Sequence, residues 1–461
     1  MRLIGFVLIV TPVFAQAQSW EKLIAPGVVY RMEVDNSVPR VIHALRFARE
    51  AATLTSQPVF AQGSVFGRED DRKGRATLSE TIKSESALAG VNGDFFPWTG
   101  DPLGAMVRNG ELVSKPFLGR SVFAWGPGYS TVSRLNWKSS ATFTGQENLK
   151  IDGLNEVCSK DMVVLNTFAA GYAVTDPNAT SAVIELGNSI GPTGSWKGQV
   201  ITVVKGETRI PVGKTQAVLT ASGKSAAKLE FLAKGEAVTI QMSTSGLDWV
   251  RAKNVVGGGP VVVTAGKPLQ AWDAENFNAE FATKRHPRSA IGATALGDIW
   301  LVIIEGRQTL SVGATIEELS RIMVRLGCTE AINLDGGGSS EIALTGMIVN
   351  RPSDGAERPI ANSILVYGTE PLAPPDTEFV IQGRPKLAVG AATDYKVVDD
   401  KGRIVPTSSV VWSSQGDAWI DQGGRLRPIQ PGKARLKAWV KGKVLTLDVV
   451  VEPASVPNGD G

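Results

Sequence analysis

The chain has 461 residues, 43% hydrophobic and 20% charged, with 48 Lys and Arg against 45 Asp and Glu, a net charge of +3. That length exceeds one ordinary core, and the balanced charge argues against a disordered tail or a nucleic-acid binder driven by net charge. Two histidines, His43 and His286, cannot build a His-rich two-metal centre, and two cysteines exclude a disulfide framework or a Cys-rich zinc site.

The first 17 residues read as a signal peptide. Arg2 gives a positive start, Leu3 to Phe14 is apolar, and Ala15-Gln16-Ala17 is a small-x-small cleavage site. The run is too short to span a bilayer, and no later stretch reaches the roughly 18 apolar residues of a membrane helix. The expectation is an exported protein without stable membrane insertion and without a nucleic-acid partner. In an oxidising compartment Cys158 and Cys328 could pair; two buried free thiols are the alternative.

Residues 18–370 mix strands with few helices. Thr77-Leu-Ser-Glu80 has the order of a capping box, and the apolar run Ala87 to Val91 ends in Asn92-Gly93-Asp94. Thr315-Ile-Glu-Glu318 repeats the box, with Ile316, Leu319, Ile322, Met323 and Leu326 at helical spacing and Gly327 as the stop. The strand that follows ends in Asn333-Leu334-Asp335. Twice, a capped helix leads to a buried strand with Asn-x-Asp at its exit. Gly187-Asn-Ser189-Ile-Gly191 matches a nucleophile elbow, but Pro192-Thr-Gly194 forbids the helix that motif requires.

Asp335-Gly336-Gly337-Gly338-Ser339 is the sharpest motif. Three consecutive glycines permit close approach of a ligand to an anion nest beside a fixed carboxylate, or else a tight turn. Arg285-His286-Pro287-Arg288 puts two guanidinium groups at the start of an apolar strand, suited to bidentate recognition of phosphate or carboxylate or simply to a solvated strand end. His286 reads as a structural hydrogen-bonder or a base. Gly257-Gly258-Gly259-Pro260 precedes another strand and marks a bulge or a close backbone approach. Asn350-Arg351-Pro352-Ser353-Asp354-Gly355-Ala356-Glu357-Arg358-Pro359 is a charged loop, followed by Asn362.

Residues 371–376 form a proline linker. Short β-rich runs then fill 377–455, and Val411-Trp412-Ser413-Ser414 with Pro431-Gly432-Lys-Ala434 resembles the bacterial Ig-like domain. Trp412 is expected in its core. The segment shows no catalytic grouping and reads as dispensable for chemistry, a spacer or a cell-surface or glycan contact. Residues 456–461 read as a flexible tail. The fold expected is an α+β catalytic domain of mixed sheets with few helices, followed by a small all-β Ig-like sandwich.

Taken together, Val91-Asn92-Gly93-Asp94-Phe95-Phe96, Gly257 to Pro260, Arg285 to Gly292, Asn333 to Ser339 and Asn350-Arg351-Pro352 resemble the phosphodiester glycosidase family, including its bacterial exopolysaccharide-biosynthesis-type members. Asp94 stands where many relatives have glycine, and His286 and Ser289 vary the arginine motif. The resemblance implies hydrolysis of the C1–O bond of a sugar-1-phosphodiester in a phosphoglycan or exopolysaccharide. Phosphate leaves readily, so anion and oxocarbenium stabilisation matter more than proton donation. Asp335, Asp94, Arg285 and Arg288 are then the catalytic candidates. Asn92, His286, Asn333, Gly336, Gly337, Gly338, Ser339, Asn350, Arg351, Arg358 and Asn362 are the substrate-binding candidates. The oxygen-rich set would accept a structural Ca²⁺, although no EF-hand loop specifies one. A non-catalytic glycan-binding or export protein and a P–O-cleaving phosphodiesterase are the rival readings.

Overall fold

The computed structural model describes residues 17–49, 53–67, 73–97, 99–369 and 371–454. The signal peptide, except Ala17, and the 456–461 tail lie outside them. Among the described residues no helix is long and apolar enough to cross a membrane.

The expected α+β class is corrected. Strands dominate the described residues, which hold three α-helices of only seven, five and ten residues (Leu78–Ser84, Ala279–Thr283, Ile316–Arg325). Both capping boxes form: Thr77 and Glu80, and Thr315 and Glu318, exchange reciprocal backbone–side-chain hydrogen bonds. Gly327, at φ 87°, ends the longest helix. The helical signals were sound, but each serves one short crossover between strands.

The principal eight-stranded sheet begins with the meander Gln18–Ala25, Val28–Asp35 and Arg40–Ala48. It continues through Asp298–Ile304, Arg288–Thr294 and Cys328–Asn333 to Val261–Thr264 and Lys267–Pro268. One face packs on the Ile316–Arg325 helix; the other joins a large core containing Tyr30, Leu45, Ile291 and Ile332. A five-stranded sheet places Ala89–Asn92 between Ile342–Leu344 and Asn362–Tyr367. The two sheets meet where Asp335 N–H donates to Gly93 O at 3.1 Å. Both Asn-x-Asp exits therefore converge.

The middle of the chain builds another eight-stranded sheet, from Asn136–Phe143 to Ala237–Ser245, around its own apolar core. Residues 187–191 lead into the strand Thr193–Lys205 rather than a helix, as the proline required. Cys158 belongs to this middle segment and Cys328 opens a strand of the principal sheet. Of the two alternatives the structure shows the second: both are buried free thiols. Burial pushes the Cys158 thiol up to about 11 and the Cys328 thiol up to about 12.

The C-terminal segment departs from a clear Ig-like sandwich. It forms a two-stranded, a four-stranded and a three-stranded sheet, with Trp412 in a local core as expected. It is not detached either. Val411, Trp419 and Trp439 enter the large core with Ile24, Tyr30 and Met32. Lys443 Nζ donates to Pro375 O at 3.3 Å and Thr377 O at 2.6 Å, strapping the linker to the segment.

Candidate active site

A cavity of about 220 Å³ opens where the convergent strands end, lined by Phe95, Phe281, His286, Pro287, Arg288, Arg307, Asp335, Gly336, Gly337, Gly338 and Arg358. A larger one, about 690 Å³, lies on the middle sheet near Trp137 and Lys138. Its only carboxylate is Asp152, held by Lys150 at 2.8 Å. The smaller cavity carries the concentrated chemistry.

Asp335 is its carboxylate. Oδ1 accepts from Gly336 N–H at 2.8 Å, and burial pushes the group up to about 6. Asp94 lies behind it, 4% exposed, accepting from Phe95 N–H at 2.7 Å and Gly104 N–H at 2.8 Å. Burial pushes it up to about 7, with the charge of Asp335 adding to the rise and Arg120 opposing it. Glycine at 257 explains the first residue of the Gly-Gly-Gly-Pro run, because a side chain there would collide with the Asp94 carboxylate.

Arg288 is 1% exposed. Nε donates to Ala314 O at 2.9 Å and one Nη to Phe281 O at 2.5 Å and Lys284 O at 3.1 Å, while the guanidinium stacks 4.6 Å from the Phe281 ring centre. Among the described residues no carboxylate pairs with it. Burial, then the neighbouring Arg307 charge, lower it to about 10. Arg307 follows the strand Asp298–Ile304 at φ 59°, a left-handed conformation costing about 1–3 kcal/mol in a non-glycine residue. It too lacks an ion pair among the described residues. Arg358 is paired with Asp354 at 2.5 Å. Burial lowers the His286 pKa, with Arg288 and Arg307 contributing, which favours neutral imidazole. Three guanidinium groups thus face one lining carboxylate, so the cavity favours an anion.

The structure does not bring every candidate to this cavity. Arg285 turns outward to Glu318, at 2.7 Å. The asparagines serve backbone rather than open space. Asn92 Nδ2 donates to Asp335 O at 2.8 Å, and its Oδ1 accepts from Ser289 Oγ at 2.8 Å. Asn362 Oδ1 accepts from Asp94 N–H at 2.7 Å, and Asn333 Nδ2 donates to Gly259 O at 2.8 Å. Asn350 bridges Ile342 N–H and Ser340 O at 2.9 and 3.0 Å. Ser339 is buried at the end of the glycine turn, and Arg351 points to Gly416 O at 2.9 Å.

The anion nest also takes a different form. Gly336 N–H is engaged by Asp335, and Gly337 N–H donates to Pro287 O at 3.0 Å. The glycines are required for close approach of side chains instead. A side chain at Gly338 would collide with Asp354 and Arg358, and one at Gly337 would meet Arg307 Nη2 at 3.2 Å. Arg307, Phe95 and Phe281 escaped assignment by sequence. The available signal for Arg307 was Glu305-Gly306-Arg307 at the exit of an apolar strand, three residues past its end, much as Asp335 follows its own strand by two.

Among the described residues no group of three or more His, Cys, Asp or Glu is placed to hold a metal ion. What the cavity offers is a carboxylate and unpaired guanidinium groups, an arrangement that can bind phosphate while stabilising positive charge beside it.

Residues 191–367 match the phosphodiester glycosidase family. Over 82 residues the chain is 37% identical to the SPbeta prophage-derived uncharacterized protein YomE of Bacillus subtilis (strain 168), covering 18% of this chain and 13% of that one. Over 79 residues it is 34% identical to N-acetylglucosamine-1-phosphodiester alpha-N-acetylglucosaminidase of Bos taurus, covering 17% and 15%. The matched stretches thus span about an eighth to a seventh of these relatives. A hypothetical protein from Synechocystis shares the fold, with TM-score 0.62 at 22% identity, over 75% of this chain and 62% of that one.

Proposed function

We propose that the protein hydrolyses the glycosidic C1–O bond of sugar-1-phosphodiesters, releasing free sugar and a phosphomonoester. The observation that carries this reading is the opposition, in one cavity, of the Asp335 carboxylate to two guanidinium groups, Arg288 and Arg307, that have no carboxylate partner among the described residues. The family match over residues 191–367 supports the reaction class.

In this reading the phosphate lies against Arg288, Arg307 and Arg358, with the sugar carbon towards Asp335. As C1–O breaks, negative charge collects on phosphate and positive charge on the ring. Both gain stabilisation from groups already in place. Each charge-assisted hydrogen bond contributes about 1.5–3 kcal/mol, against the roughly 8–23 kcal/mol by which enzymes lower barriers. Several contacts must therefore act together. Phe95 and Phe281 form an aromatic wall, 6.3 Å apart between ring centres, that limits water around the leaving group. Asp94, behind Asp335 and pushed by burial up to about 7, keeps its proton below that pH and so limits the local negative charge there to one. The natural substrate is proposed to be a phosphoglycan or exopolysaccharide met after export, the latter supported by the charged, apolar and small-residue order of residues 1–17.

The test is turnover of a panel of glycosyl-1-phosphodiesters in ¹⁸O-labelled water. Label in the sugar is expected. Label in the phosphate would show attack at phosphorus and overturn the reading, and so would a panel bound but left intact.

A further inference from the structure

The strand exit that carries Arg307 and the loop that carries Arg358 are joined by one buried side chain. Glu305, 2% exposed, precedes Gly306-Arg307 directly. Its Oε1 accepts from Arg351 N–H at 2.7 Å, the second residue of the Asn350–Pro359 loop. Gln308 Nε2 donates to Arg351 O at 2.8 Å, so the peptide groups flanking Arg351 are gripped from both sides by residues bracketing Arg307.

Glu305 is in turn the end of a buried relay. Its Oε1 also meets His43 Nε2 at 3.0 Å, and His43 Nδ1 lies 2.7 Å from Tyr30 Oη. Gln422 Nε2 lies 3.5 Å from the same phenol oxygen. One consistent set of donors runs Gln422 N–H to Tyr30, Tyr30 O–H to His43, and His43 N–H to Glu305. Gln422 belongs to the C-terminal segment, where its amide is fixed by Trp412 N–H at 2.9 Å and Trp412 O at 2.7 Å. Two further tethers run in parallel. Ser413 Oγ donates to Ile348 O at 2.7 Å, two residues before Asn350, and Arg351 Nη2 donates to Gly416 O at 2.9 Å.

We infer that the C-terminal segment is a positioning element for the phosphate-binding arginines, acting through Gln422, Tyr30, His43 and Glu305. The inference rests on the phosphate-site reading above and goes beyond it, because it makes the far end of the chain part of how the site is built. Low local dielectric strengthens each link of such a chain, and an orphaned member costs more than a single exposed hydrogen bond. Glu305 and Tyr30 are positioning residues: neither lines the cavity.

The experiment uses the full chain with inorganic phosphate as the probe, titrated calorimetrically, alongside steady-state kinetics on a small glycosyl phosphodiester. Tyr30→Phe removes one oxygen and preserves the ring, so the fold should survive. Phosphate affinity should fall about three- to tenfold, and kcat/KM should fall by at least as much. Glu305→Leu should have a larger effect and Glu305→Gln, which keeps an acceptor oxygen, should restore most of it. In an Arg307→Ala background the Tyr30→Phe effect should shrink sharply, which mere destabilisation would not produce. A wild-type protein that binds no phosphate overturns the underlying reading and this inference together. Normal wild-type binding with unchanged affinity in folded Tyr30→Phe, or with an equal effect in the Arg307→Ala background, overturns the inference alone.

Discussion

Arg307 lies directly over Gly337: a methyl group added to the glycine would come within 3.2 Å of the guanidinium. Both residues hold left-handed backbone, at φ 59° and 63°, and neither belongs to a regular strand or α-helix. Arg307 is exposed and has no ion pair among the described residues; in the proposed reading its guanidinium meets the substrate phosphate. Arg307→Ala should lower kcat/KM about 10- to 100-fold on a glycosyl phosphodiester, the loss expected for a charge-assisted contact. Arg307→Lys should fall between, since it keeps charge but not the planar fork. The two variants share the backbone strain, so their difference reports the side chain. Wild-type kcat/KM in Arg307→Ala would remove this residue from the site.

The two aspartates should produce a bell-shaped pH dependence. Asp335 ionises near 6, giving the rising limb; Asp94 loses its proton near 7, placing a second negative charge behind the first and opposing phosphate binding. The optimum is expected between these values. Asp94→Asn should abolish the falling limb and keep the rising one. Asp335→Asn should lower kcat at least about a hundredfold with little change in melting temperature. A rate independent of pH between 5 and 8 would contradict both assignments.

Glu341 supplies a test of stability. It is fully buried beneath the glycine loop, accepts from Arg358 N–H at 2.7 Å, and is pushed by burial up to about 9. Its folded pKa exceeds its unfolded value, so the folded state holds the extra proton and stability falls as pH rises from about 4.5 to 9. Glu341→Gln cannot lose a proton. Its melting temperature should therefore exceed that of the wild type increasingly towards pH 9. Parallel curves for the two proteins would show that the carboxyl does not carry this linkage.

Arg285 should matter little to turnover. Its guanidinium is about half exposed and engaged with Glu318, a pairing worth about 0–1 kcal/mol at a surface. Arg285→Ala should leave kcat/KM close to wild type, whereas Arg288→Ala should reduce both activity and stability because the buried side chain also satisfies three carbonyls. Equal losses in the two variants would mean that Arg285 reaches the substrate after all.

Local signals in the sequence were enough for the local structures they describe. Thr-x-x-Glu placed both helix starts, Pro192 ruled out a helix after Gly191, and Asn-x-Asp picked out two strand exits that converge. Those features depend on hydrogen bonds and dihedral preferences within a few residues, so a linear reading captures them. What each side chain faces depends on contacts between segments hundreds of residues apart. Only the tertiary structure decided that Arg288 looks inward and Arg285 outward, that four asparagines clamp backbone, and that Arg307 completes the cavity. It also decided that Gln422, at the far end of the chain, reaches the sheet behind the site. Two arginines three residues apart are equivalent in composition; the pairing of one with Glu318 and the burial of the other are set by how the Ile316–Arg325 helix packs across the sheet.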